Sequence, residues 1–211
     1  MTARADNVID LGGKRAELGP RELRQVEAYW EGLREGRLLP DRAELDPRGL
    51  TPLIRNCILL DRIAPGLARI RISGRHVSDL MGIDVEGMPL SALFLPDARP
   101  DLTETLSAVF EEPAVARIAL KSPGALGRHE LAARMILLPL RDDMGDVTRA
   151  LGCLLAEGPI GRTPRRFAIE DQTRQTLVGY AGPRNATYVP RGGHEAGSGG
   201  AEIVNLRPRD A

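Results

Sequence analysis

The side chains of this chain that could carry chemistry are three histidines, two cysteines and a scatter of serines and arginines. His76 follows Gly74 at the head of a helical stretch, where an imidazole could ligate a haem iron or titrate near neutral pH. No second ligand stands near it, so a solvated or capping histidine is the stronger reading. His129 falls at a strand edge and His194 in a glycine-rich stretch, and no metal cluster can be drawn. Cys57 and Cys153 each lie inside an apolar run, where a thiol packs as a small hydrophobe, as suits a reducing compartment. Ser73, Ser78, Ser91, Ser107 and Ser122 lack the surroundings of an activated nucleophile, and the glycines form no phosphate-cradling loop. Arg42, Asp46 and Asp61 read as a structural knot rather than a catalytic group, because Asp46 has a capping duty before Pro47. Arg162, Arg165, Arg166 and Arg174 read as a solvated linker, since Glu170 and Asp171 interrupt their charge. No acid, base and nucleophile converge along the sequence, and no enzyme activity is expected.

The elements that would position these residues follow from apolar spacing. After a polar arm over residues 1–19, Leu23, Val26, Trp30 and Leu33 make one stripe of an amphipathic helix over residues 20–35. Asp46-Pro47 opens a short helix through Leu50 and Leu53. Ile54 to Ile63 and Leu67 to Ser73 read as a strand pair turning at Ala64 to Gly66. Helical pieces follow at Val77 to Met81 and Pro89 to Phe94, and a longer one puts Leu102, Leu106, Val109 and Phe110 on one face. Three further strands are predicted at Ala114 to Lys121, Glu130 to Leu140 and Ala150 to Glu157. Residues 158–211 read as a tail of low order with one weak helix over residues 167–180, built on Ile169, Thr173 and Leu177.

Composition removes several classes of function. The 29 Lys and Arg balance the 29 Asp and Glu, so no global field draws a polyanion and no nucleic acid is expected as partner. Apolar residues reach 42% but aromatics only 3%, so the core must be built from Leu, Ile, Val and Ala. No run approaches the roughly 20 apolar residues that cross a bilayer, and the first residues lack a signal-peptide core. A soluble, cytoplasmic protein with no membrane partner is expected.

Strands first in a pair, then short helices, then a meander of three strands is an α+β order. Along it, Tyr29-Trp30 with Leu33-Arg34, Gly36-Arg37, Pro40 with Arg42, Asp46-Pro47, Leu60-Asp61, Arg71 to Gly74, Gly82 and Leu138-Pro139-Leu140 stand in sequence. This set resembles a bacterial family of single-PAS-domain proteins, over about Leu23 to Glu157. The resemblance implies a PAS-like five-stranded antiparallel sheet with short helices on one face and an N-terminal flanking helix, making one domain over residues 20–157. It implies a sensory or regulatory role and selects no cofactor, because PAS domains as a class bind haem, flavin, small metabolites or nothing. Flavin adduct chemistry is disfavoured by the chain itself, since Cys57 and Cys153 fall in predicted strands and no Asn or Gln occurs from Arg75 to Glu112.

Two roles remain open at this point. In the first, a small-molecule ligand occupies a cavity between sheet and middle helices, with Ile72, His76, Met81, Leu93, Leu106, Leu120 and Met135 as its walls. In the second, a ligand-free module binds itself or another protein, with Leu23, Val26, Trp30 and Leu33 as the seam of a homodimer. The same stripe is equally explained by packing on the helix's own sheet. Neither flank could bury an effector core, so either role acts in trans on a protein partner that carries the output.

Overall fold

Leu23, Val26 and Trp30, three and four residues apart, are the buried face of helix α1 (Arg21–Arg34). It ends where Glu35 and Gly36 turn the chain through positive φ (48° and 83°), a region that glycine enters without penalty. In a computed structural model the protein is described over residues 20–177, apart from 52 and 127. The expected arm (1–19) and the part of the expected tail beyond 177 lie outside the described residues.

Three single-turn helices follow α1: Arg42–Glu44, Pro47–Leu50 and Leu53–Asn56. Asp46 opens the second as its type predicts, its Oδ1 accepting from the Arg48 amide at 2.9 Å. The chain then forms β1 (Cys57–Ala64), β2 (Leu67–Ser73), α2 (Arg75–Met81), turns at Leu90–Leu93 and Pro96–Ala98, α3 (Arg99–Glu111), β3 (Ala114–Ser122), β4 (Leu131–Leu140), β5 (Arg149–Glu157) and β6 (Ala168–Thr176). The sheet is antiparallel throughout, in the order β2-β1-β5-β4-β3-β6.

Strand alternation divides the apolar residues between two faces. The register lines up Ile58 and Leu60 of β1, Met135 and Leu137 of β4, and Ile118 and Leu120 of β3 on a front face. α3 packs there, and Thr105 Oγ1 on α3 donates to Gln172 Oε1 of β6 at 2.5 Å. On the back face lie Cys57, Leu59 and Asp61, with Cys153, Leu151 and Arg149 opposite them and Ile136 and Leu138 beyond. α1 packs on this face against β4 and β5; Arg117 of β3 pairs with Glu27, and Trp30 Nε1–H donates to the Pro139 carbonyl at 2.9 Å.

The sheet has six strands where five were expected, and the correction lies at residues 167–180. The stretch read as a weak helix is strand β6 over Ala168–Thr176, paired with β3 from Ala114↔Thr176 to Lys121↔Ala168. The outer edge of β3 supplies a row of backbone donors and acceptors that local helical spacing cannot match. The approach to β6 is also pinned. The amides of Arg165 and Phe167 donate to the carbonyls of Leu80 (2.8 Å) and Leu93 (2.9 Å). Arg165 is not a solvated linker residue: it is fully buried, its Nε donating to the Ile160 carbonyl at 2.6 Å and its Nη1 to that of His129 at 2.7 Å.

Asp142 ties the loop between β4 and β5. Its Oδ1 accepts from the amides of Met144 (2.9 Å) and Asp146 (3.0 Å), and its Oδ2 from the Thr148 hydroxyl (2.5 Å). Burial alone would raise this carboxyl, but those hydrogen bonds, with Arg149 nearby, hold it below the usual carboxylate range. A depressed folded pKa contributes stability above the ordinary carboxylate value, and that contribution is lost as pH falls through the folded one. The Met144 and Asp146 amide resonances should therefore shift together below the ordinary carboxylate pKa. In an Asp142→Asn chain the same amides should show no such titration.

Candidate functional site

The seven expected cavity walls do not share one surface. Met81, Leu93, Leu106, Leu120 and Met135 are all buried in a single apolar core, packed with Phe94, Phe110 and Phe167. His76 lies apart from them, half-buried on α2 beside Arg55 and Asp79. Ile72 is 49% exposed and turns to the back of the sheet. The cause is a β-bulge: Leu60 pairs with Ile70 but Leu59 with Ile72, so the extra residue, Arg71, reverses the alternation of β2. The sequence pattern of Ala68, Ile70 and Ile72 shows no sign of it.

The expected seam residues also have a partner within the chain. Leu23, Val26 and Trp30 are buried by the chain's own sheet, and Leu33 is partly exposed. A second copy could meet those three only if α1 left the sheet.

α1 leaves the β1–β2 end of the back face to the three single-turn helices, and between them and the sheet lies an open apolar groove of about 130 Å³. Leu45, Leu50, Ile54, Leu59, Ile72 and Leu151 line it, with Arg42 and Ser73 as its polar groups. Ile54 is 43% exposed, so two large aliphatic side chains stand in water at its edge. One cross-strand row beyond Leu59 sits Asp61, flanked by Arg69 on β2 and Arg149 on β5. Its buried carboxylate lies 3.1 Å from Arg149, 3.4 Å from Arg71 and 3.9 Å from Arg69. The expected knot of Arg42, Asp46 and Asp61 is thus corrected: Asp46 caps its turn, three other arginines hold Asp61, and Arg42 makes no ion pair among the described residues. Cross-strand neighbours found Asp61 first, and sequence separation hid them.

A family model described as "PAS domain" matches residues 18–155. The chain belongs to the PAS domain family. No curated protein matches it. Among solved structures it is similar to the blue-light photoreceptor Aureochrome1 LOV in its light state (15% identity, 49% of this chain and 82% of that chain, TM-score 0.37). The dark structure of the same photoreceptor gives 15% identity, 53% and 82% coverage and a TM-score of 0.39. An RNA-binding Light-Oxygen-Voltage receptor gives 20% identity, 56% and 35% coverage and a TM-score of 0.36. PAS domains are general sensory and regulatory modules, and no described helix of this one is long and apolar enough to cross a membrane.

The titratable groups of this PAS domain show little that could do covalent chemistry. Cys57 and Cys153 face each other across β1 and β5. The Cys57 Sγ–H donates to the Leu53 carbonyl at 3.3 Å. Its hydrogen bond with Cys57, followed by burial, pushes the Cys153 thiol far up, so it stays protonated and unreactive. Burial first, then Arg55, holds the His76 imidazole below its ordinary value against the pull of Asp79. Its Nε2 has no hydrogen-bond partner, and no group of three or more metal-ligating side chains occurs among the described residues.

Proposed function

We propose that this PAS domain is a regulatory module that acts in trans by binding another protein through the groove at the β1–β2 end of its sheet. The observation that carries this reading is the division of apolar surface. Five of the seven positions expected to wall a ligand cavity, Met81, Leu93, Leu106, Leu120 and Met135, are buried in the core, while Ile54 and Ile72 are left facing solvent over an open groove. Interiors packed to crystal-like density have no room for a guest without rearrangement. Contiguous exposed apolar surface rimmed by polar groups marks a site of protein recognition. Catalysis has no place in this reading, since burial and its cysteine neighbour keep the Cys153 thiol protonated and the His76 Nε2 has no hydrogen-bond partner among the described residues.

Native mass spectrometry of freshly purified protein, beside a denatured control and with an absorption spectrum of the same sample, tests it. The expected result is the bare chain mass and no visible-range chromophore. A noncovalent adduct on the chain would overturn the reading in favour of a ligand-responsive domain with its cavity around Met81, Leu93, Leu106, Leu120 and Met135.

A further inference from the structure

The groove's apolar floor ends at a cluster of guanidinium groups, and their arithmetic carries a statement about the partner. Arg69, Arg71 and Arg149 share one carboxylate, that of Asp61. Each guanidinium has five N–H donors and a carboxylate about four acceptor sites, so even with the Thr148 carbonyl and hydroxyl accepting from Arg149 Nη1 at 3.3 Å, most donors at this corner have no protein acceptor. Arg69 and Arg71 are about half exposed. Arg42, in the groove wall, and Arg48, on the turn beside it, form no ion pair among the described residues. Against this stand the exposed Asp46, already accepting from the Arg48 amide, and Glu86, which accepts from the Ser73 amide at 3.0 Å.

We infer that the groove takes an acidic segment of a partner protein, one large apolar side chain seated among Leu50, Ile54 and Ile72 and flanking carboxylates on Arg42, Arg71 and Arg149. The inference rests on the interaction reading above and adds the partner's chemistry. A volume of about 130 Å³ suits one large side chain rather than a packed helix face. Charge decides between occupants. A second copy docking by the same corner would set arginine against arginine, which a two-fold interface repeats on both sides. A carboxylate brought to these arginines gains charge-assisted, bidentate geometry.

Selection of short random peptides displayed on phage against the immobilised full chain tests this. Enriched sequences are expected to place Asp or Glu beside one Leu, Ile, Phe or Trp. A fluorescein-labelled enriched peptide should bind the full chain with an affinity that falls as salt rises. That affinity should weaken about tenfold or more in Ile72→Asp and severalfold in Arg42→Glu, as anchor and rim positions do. Should Ile72→Asp fold poorly, Ile72→Ala serves, with a smaller loss in the same direction. Absence of enrichment, enrichment of neutral or basic peptides, or binding indifferent to both substitutions would overturn the inference. Concentration-dependent dimerisation abolished by Ile72→Asp would overturn it too, in favour of a second copy. None of these outcomes touches the adduct mass that tests the interaction reading, so the two fail separately.

Discussion

A chain carrying Trp30→Ala is expected to lose about 3–5 kcal/mol of stability, the range found when a fully buried aromatic is truncated. Trp30 has no exposed surface, and its ring is the largest side chain between α1 and the back of the sheet. The Arg34 guanidinium lies 5.3 Å from the ring centroid. Truncation also leaves the buried Pro139 carbonyl without its donor, which adds a desolvation cost that Trp30→Phe would share. Urea unfolding at several protein concentrations reads the effect. Because the ring packs within its own chain, the loss should be the same at every concentration. A loss that grew on dilution would mean that Trp30 stabilises an association, and α1 would return to the role of a dimer seam.

That choice shows how far the sequence could be read. The stripe of Leu23, Val26 and Trp30 located the helix, whose observed span is Arg21–Arg34 against the expected 20–35. Spacing cannot name what a stripe packs on, since a parent sheet and a second helix ask for the same period. β2 came out at its expected bounds, and the three later strands within a residue or so, because each alternates or is apolar throughout. β6 did not. Glu170 to Thr176 has no apolar face, and its residues are those of a polar edge strand whose partner, β3, lies about 50 residues earlier in sequence. Its β-branched Ile169, Thr173 and Thr176 were the available signal, outvoted by a helical spacing of Ile169, Thr173 and Leu177. The site was less legible still. The bulge at Arg71 moves Ile72 to the opposite face, and an alternating pattern contains nothing that marks one inserted residue. The arginine cluster likewise exists only once β1, β2 and β5 are side by side.

Two glycine-to-alanine substitutions should have opposite signs, and one of them reaches the groove. At Gly32, within α1, an added Cβ meets no atom within 4 Å. Gly32→Ala should therefore raise stability by about 0.5–1 kcal/mol through helix propensity alone. Gly74 precedes α2 with an ordinary φ of −71°, so glycine is there for space rather than for conformation. An added Cβ would lie 2.5 Å from the Ile54 carbonyl oxygen and closer still to that of Arg55. Those are backbone atoms, so no rotamer change relieves the overlap, and either the β2–α2 corner or the turn Leu53–Asn56 must move. The corner is held by the Gly74 amide, which donates to the Cys57 carbonyl at 2.8 Å. The turn is held by Asn56, whose side-chain amide donates to the Leu154 carbonyl at 3.2 Å. Gly74→Ala should cost about 1–3 kcal/mol, as overpacking of a fitted interior does. If the turn yields, Ile54 moves with it, and the chain should lose affinity for the acidic peptide although Gly74 lines the groove with backbone alone and every groove side chain is retained. Thermal melts of the two variants, with peptide anisotropy on each, separate the effects: Gly32→Ala should melt higher and bind unchanged, whereas Gly74→Ala should melt lower and bind weakly. A Gly74→Ala chain as stable as the parent would show that the turn has slack, and a groove wall with slack could not hold one side chain in a fixed seat.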